Sequence, residues 1–431
     1  MSELRRTLGL GSLTFYGVGL ILGAGIYSIL GPAAGVAGEA LWWSFLLGSC
    51  AALLTGLSYA ELATMLPLAG AEYVYLREAW PGLSWLAGTL GWVLVVAGMA
   101  TAATVAIAFA GYASLFVAVS PWIIAVALIV GSVALNLVGV REASWANIVL
   151  TLIEAGGLVA LIIVGIRQPA FGHAFLAAPH AGVLAGAALI FFSYLGFEDI
   201  ANLAEEAAHP GRDIPRAIFI SVAISTLLYI LVAVSAVTLL PPEQLAESAS
   251  PLADAIYAGA PELAGALGGV ALFATANTAL IIIMAASRLL FGMARGGDGP
   301  QAIARTLPGR GTPAVAIVAA GCGTLLFLPL GGVGLIGSVA SMLSLGAFAC
   351  VNLALVRLRF TRPEAERPYR VPLTVGRVPV LTIVGLVVVI GLLTRFSREA
   401  YGIAAASLFV AFVLQALPWA RDPGEAGQAP D

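Results

Sequence analysis

The chain has 431 residues, 60% of them hydrophobic and 10% charged, with a net charge of −3 and a mean hydropathy of +1.01. A water-soluble protein of this length needs far more charge on its surface, so most of this one is expected to face a lipid bilayer. The charge balance offers nothing to nucleic acid. No Gly-rich phosphate loop, nucleophile–base pair or paired carboxylates mark an enzyme.

Each crossing of a bilayer needs about 20 apolar residues. Reading from charge to charge predicts an all-α integral membrane protein with twelve transmembrane helices, at 10–36, 40–66, 83–112, 121–140, 143–166, 183–206, 216–240, 263–294, 313–331, 333–358, 371–394 and 400–420. The first span is too long for a cleaved signal. There is no Lys, and Arg alone sets the orientation. Arg5, Arg6, Arg77, Arg141, Arg212, Arg216, Arg295, Arg305, Arg310, Arg357, Arg359, Arg362, Arg367, Arg370, Arg377 and Arg421 fall on one side, against Arg167, Arg395 and Arg398 on the other. The excess places both termini, 1–9 and 421–431, in the cytoplasm of a multi-pass cell-membrane protein. Cys50, Cys322 and Cys350 fall within spans as small packing residues, and His173, His180 and His209 are too dispersed for a metal.

Gly23-Ala24-Gly25-Ile26 interrupts the first span, with Gly17, Gly19, Pro32 and Gly35 weakening the helix around it. Small residues here also fit close helix packing. If the helix unwinds, the N–H groups of Gly23, Ala24 and Gly25 and the N-terminus of the following half-helix form a site suited to a carboxylate. Residues 67–82, carrying Glu72, Arg77 and Glu78, read as an amphipathic cytoplasmic segment. In the fifth span Glu154 lies roughly 17 Å deep at 1.5 Å per residue. An ionised carboxylate is costly there, which makes Glu154 a candidate carrier of H⁺, or a ligand for Na⁺. A Glu hydrogen-bonded to a neighbouring helix is the plainer alternative.

The sixth span is interrupted by Phe192-Ser193-Tyr194-Leu195-Gly196-Phe197-Glu198. Carbonyls freed near Phe192, Ser193 and Leu195 suit an ammonium group, so the two breaks together match an α-amino acid zwitterion. Phe192 is a candidate gate over the substrate, or simply a packed ring. Glu198, about 12 Å from the inner end of its helix, is a candidate for coupling protonation to an inner gate. With Asp199, Glu205 and Glu206 nearby, a wet acidic face fits it as well. Asp213 and Pro215 fit the cap and first turn of the seventh helix. Residues 241–262, acidic and apolar without Arg, read as an extracellular lid or a surface helix. In the eighth span Thr275, Asn277 and Thr278 are polar, with Asn277 and Thr278 candidates for lining the site. Hydroxyls there also bond back to their own helix. Residues 295–312 form a cytoplasmic loop.

The first ten spans divide into 10–166 and 183–358, each set opening with a broken helix. Because five is odd, the second set enters from the opposite face, giving two inverted five-helix repeats with helices eleven and twelve, 371–420, outside them. Breaks at corresponding places in two halves point to a transporter's substrate site.

The chain resembles the amino acid–polyamine–organocation superfamily of permeases over about residues 5–395. The resemblance rests on Gly19-Leu20-Ile21-Leu22-Gly23-Ala24-Gly25-Ile26-Tyr27; on Tyr59 through Pro67 with Gly70-Ala71-Glu72-Tyr73-Val74-Tyr75; on Phe191 through Glu198; on Arg212-Asp213-Ile214-Pro215-Arg216; and on Ala286-Ser287-Arg288 with Gly292 through Arg295. It implies the leucine-transporter-type fold, in which the first and sixth helices are discontinuous. It further implies a carboxylate at Gly23, Ala24 and Gly25, an ammonium at the carbonyls of Phe192, Ser193 and Leu195, and a gate at Phe192. Several relatives place a Lys in the fifth helix; here the nearest match is Glu154. That leaves an H⁺-coupled amino acid transporter, Na⁺ held by Glu154, or exchange without an ion. A polyamine or cationic amino acid permease would use Glu154 and Glu198 as counter-ions. A receptor or complex subunit that binds an amino acid without moving it is the reading from another class, and some members of such families need a single-span partner protein. No cofactor is expected.

Overall fold

A computed structural model describes residues 8–67, 71–138, 144–204, 206–307, 312–417 and 419. Residues 1–7, the tail 421–431 and Glu205 lie outside the described residues. Among the described residues the fold is all-α apart from one hairpin of two-residue strands. A helix covers each expected span. The first is split into α1 (Leu10–Leu22) and α2 (Ala24–Ala37), followed by α3 (Leu41–Met65), the short α4 (Ala71–Ala79), α5 (Ser84–Ala113), α6 (Pro121–Val138) and α7 (Ser144–Ile166). The sixth span is α8 (Ala181–Ile190), a 3-10 turn (Phe191–Tyr194) and α9 (Asp199–Asn202). Then come α10 (Pro210–Leu239), α11 (Pro242–Glu247), α12 (Pro251–Gly259), α13 (Pro261–Arg295), α14 (Ala314–Phe327), α15 (Val333–Thr361), α16 (Val380–Leu393) and α17 (Arg398–Ala416). By length and apolarity, nine helices among the described residues qualify to cross a membrane, and Leu10–Leu22, Ala314–Leu330 and Val380–Leu393 are shorter apolar helices.

Broken helices form the centre: α2 packs on α8, α1 on α10, and both halves of the sixth span on α3. Small residues permit this closeness. Gly17 faces Ile200 and Ser221, and Gly19 faces Thr151 of α7, where an added Cβ would come within 2.5 Å of the Thr151 hydroxyl. With lipid no more apolar than the side chains, such contact supplies the packing that holds membrane helices together.

Three boundaries depart from the sequence reading. The seventh helix begins at Pro210, six residues before 216, because Pro210 has its φ preset for the first turn and the His209 carbonyl accepts from the Arg212 and Asp213 amides. Asp213 therefore pairs with Arg212 instead of capping the helix. The eleventh helix begins at Val380, since residues 374–379 form an antiparallel hairpin, β1 (Thr374–Val375) with β2 (Val378–Pro379). The sixth helix ends at Asn202 rather than 206.

Candidate functional site

The first interruption is one residue wide. Gly23 (φ −37°, ψ −152°) leaves helical geometry between α1 and α2, and Ala24 already starts the next helix. Such a junction leaves the last carbonyls of one helix and the first amides of the next without intrahelical partners. Two distant side chains meet them. Thr278 of α13 accepts from the Ala24 N–H, Oγ1 to N 3.0 Å, and the Tyr229 hydroxyl of α10 donates to the Ile21 carbonyl. Unwinding is thus confined to Gly23, and the Ala24 amide expected to stand open is occupied.

At the second interruption Phe191–Tyr194 tighten into a 3-10 turn, the chain extends at Leu195 (ψ 138°), and Gly196 takes φ +114°, a conformation that favours glycine. The Phe192 carbonyl accepts the Leu195 N–H at 3.3 Å, and the Ser193 carbonyl accepts the Tyr229 hydroxyl at 3.2 Å. Two of the three carbonyls expected to be freed therefore have partners, because a buried carbonyl without one costs about 1–3 kcal/mol. The Ser193 hydroxyl is buried and has no partner.

The breaks meet backbone to backbone. A Cβ on Gly25 would sit 2.6 Å from the Cα of Ser193, so only glycine fits. Ala24 and Ile26 are fully buried and Phe192 and Ser193 almost so, which makes this a closed arrangement. Phe192 is part of that buried cluster at 3% exposure.

Glu154 is brought to the first break from α7. It lies one turn after Thr151, which abuts Gly19, and its main-chain carbonyl accepts the Tyr27 hydroxyl at 3.1 Å. Tyr112 in turn donates to the Tyr27 carbonyl at 3.1 Å. Glu154 is 3% exposed. Glu198 does something more local: its carboxylate accepts the Gly196 N–H at 2.9 Å and holds the bend. Asn277 is not brought to the breaks; it lines a cleft of about 350 Å³ between α6, α7 and α13, with Ser132, Leu150 and Phe273. Thr275 bonds back to the Ala271 carbonyl of its own helix.

Below the breaks, α4 and the end of α3 carry two more carboxyls. Glu72 accepts from Tyr59 at 2.9 Å; burial raises its carboxyl to about 7, with the Asp199 charge reinforcing this and hydrogen bonds opposing it. Glu61 is wholly buried and accepts from Arg359 Nε (2.6 Å), Arg359 Nη2 (2.5 Å) and the Val371 N–H (2.8 Å). Arg367 Nε lies 3.1 Å from the same carboxylate, an ion pair too bent to be a hydrogen bond. Leu8 ends this face: its N–H donates to the Glu206 carbonyl at 3.0 Å and its carbonyl accepts the Ala208 N–H at 2.9 Å.

Sequence reading misses Tyr229 and Tyr27. The available signal is a tyrosine inside an apolar span, whose hydroxyl must find a partner when buried.

Two interrupted helices in backbone contact within an all-helical membrane protein are the mark of a transporter. The profile of the amino acid permease family matches residues 8–414. The chain belongs to this family, and is a multi-pass membrane permease rather than an enzyme. It is 27% identical to the branched-chain amino acid permease BcaP of Bacillus subtilis, over 86% of this chain and 84% of that one. It is 31% identical to the methylthioribose transporter of Bacillus subtilis, over 89% and 86%. Mouse cationic amino acid transporter 4 is 29% identical, over 84% of this chain and 61% of its own.

Proposed function

We propose that the protein is a secondary transporter carrying α-amino acids across the cell membrane by alternating access. The observation that supports it is the buried meeting of the Gly23 and Ser193 breaks, where amide donors and carbonyl acceptors of the two interrupted helices lie side by side and are matched by a hydroxyl acceptor and a hydroxyl donor from other helices. In this reading Gly23, Ala24, Gly25 and Ile26 receive the carboxylate, and Phe192, Ser193 and Leu195 receive the ammonium, under Phe192 as gate. Recognition through main chain leaves the side chain open, in keeping with relatives whose names span branched-chain and cationic amino acids. Residues 10–166 and 183–358 act as inverted five-helix repeats, with both termini cytoplasmic. Packing of α2 on α8, α3 on α10, α5 on α13 and α6 on α14 pairs helices at equivalent places in the two sets.

Glu154 carries the coupling ion, which we take to be H⁺; a buried carboxyl beside the first break is suited to hold one. Glu198 shapes the second break and senses the inner side. Uptake of radiolabelled amino acids into proteoliposomes, with and without pH and Na⁺ gradients, tests the reading. Amino acid uptake that follows the pH gradient supports it, and absence of both uptake and exchange for every amino acid and amine would sink it. Competition between neutral and cationic amino acids decides whether the substrate carries a second positive charge, as the name of the mouse relative suggests.

A further inference from the structure

Tyr229 is the one side chain that touches both breaks by hydrogen bond among the described residues. Its ring is fully buried and held between Phe45 and Tyr194, with ring centroids 5.5 and 5.6 Å away. Tyr194 is itself fixed by donating to the Phe45 carbonyl at 2.9 Å. The hydroxyl thus points at a set place, between the Ile21 carbonyl of α1 and the Ser193 carbonyl of the second break. A hydroxyl has one proton, so it fully satisfies one of these carbonyls at a time. Across the first break Thr278 Oγ1 accepts the Ala24 N–H, as a carboxylate oxygen would. The protein's own donor and acceptor therefore occupy the two roles assigned above to the ammonium and the carboxylate.

We propose that Tyr229 and Thr278 act as an internal stand-in for the substrate, satisfying the two breaks when the carrier closes without cargo. This rests on the transport reading and deepens it. A carrier that must cross back unloaded has to bury its broken backbone with no ligand present. Unpaired amides and carbonyls would make that closed form rare. With a donor and an acceptor supplied internally, the unloaded carrier returns and net transport proceeds. Without them only the loaded form crosses readily, and the protein becomes an exchanger. Substrate binding then displaces these bonds: the ammonium takes the Ser193 carbonyl while Tyr229 keeps Ile21. Tyr229 is a positioning residue in this scheme, acting on the breaks and not on a reacting atom.

The test uses the full chain in proteoliposomes with radiolabelled L-leucine and L-arginine as probes. Two rates are measured: exchange, with unlabelled probe on both sides, and net efflux into probe-free buffer. Tyr229→Phe is expected to slow net efflux about tenfold more than exchange, the factor a single lost buried hydrogen bond gives. Thr278→Val is expected to shift the ratio the same way. Placing p-aminophenylalanine at 229, which keeps a donor at the same reach, should bring the ratio back toward that of the unsubstituted protein. An equal loss of both rates in Tyr229→Phe, or an unchanged ratio, overturns the proposal and leaves Tyr229 a packing residue. Absence of exchange and efflux in the unsubstituted protein, with these probes and every other amino acid, would instead overturn the transport reading itself.

Discussion

Arg359 donates two hydrogen bonds to Glu61, at 2.6 and 2.5 Å, joining the C-terminal ends of α15 and α3. Glu61 is fully buried, Arg359 is 6% exposed, and Arg367 crowds the same carboxylate. Glu61→Ala would leave two guanidiniums without their counter-ion in a site that water barely reaches. A loss of about 3–5 kcal/mol in stability is expected, read as a large fall in melting temperature in detergent. Breaking the outer Arg362–Glu78 pair, where the side chains are 47% and 32% exposed, should cost no more than about 1 kcal/mol. Equal effects from the two substitutions would contradict this ranking.

Gly25→Ala adds a Cβ 2.6 Å from the Cα of Ser193, against backbone that cannot rotate away. Overpacking of this kind costs about 1–3 kcal/mol, and here the strain falls on the contact that brings the breaks together. Transport is expected to fall at least about tenfold while the protein still inserts and folds. Uptake at or near the normal rate would show that the breaks do not need this closeness.

Glu154→Gln keeps the shape of the side chain and removes its charge. Since the Glu154 main-chain carbonyl, not its carboxylate, accepts the Tyr27 hydroxyl, the fold around it should survive. Gradient-driven accumulation should vanish while exchange persists. If accumulation still follows the pH gradient, Glu154 is not the coupling group.

Glu72 gives a pH signature of stability. Its carboxyl sits at about 7 in the fold, above its ordinary value of 4.5, chiefly because it is buried. The folded state therefore binds more protons than the unfolded chain between these values. Its contribution is fully present below about pH 4.5 and is lost as pH rises through about 7, by an amount on the order of 3 kcal/mol. Thermal unfolding followed from about pH 5 to 8 should show a decline that Glu72→Gln flattens. A parallel decline in the variant would assign the pH dependence elsewhere.

Much of this architecture is legible without coordinates. Long apolar runs between Arg residues announce helices, and Gly23 and Gly196 fall where the chain departs from helical geometry. What the sequence does not supply is the set of long-range partners. Ala24 is paired with Thr278 across 254 residues and Tyr229 with Ile21 across 208, and no local pattern encodes such matches. For the same reason the sequence overstates the extent of unwinding: carbonyls counted as free find hydroxyls on other helices. Asn277 and Thr278 are adjacent in sequence, yet a helix turns about 100° per residue, so one meets the break and the other the cleft between α6, α7 and α13. Short proline-bounded stretches are the least legible at their ends, as at 371–379, where apolar composition reads as helix but the chain forms a hairpin first.

The pairing of Leu8 with Glu206 and Ala208 has a further consequence. It stitches the segment that leads into α1 to the segment that follows α9, and α1 and α9 themselves touch. The N-terminal half of the first interrupted helix and the C-terminal half of the second are thereby yoked. If these two halves are to move, they must swing as one lever or break this bridge first. Their movement becomes a single cooperative event.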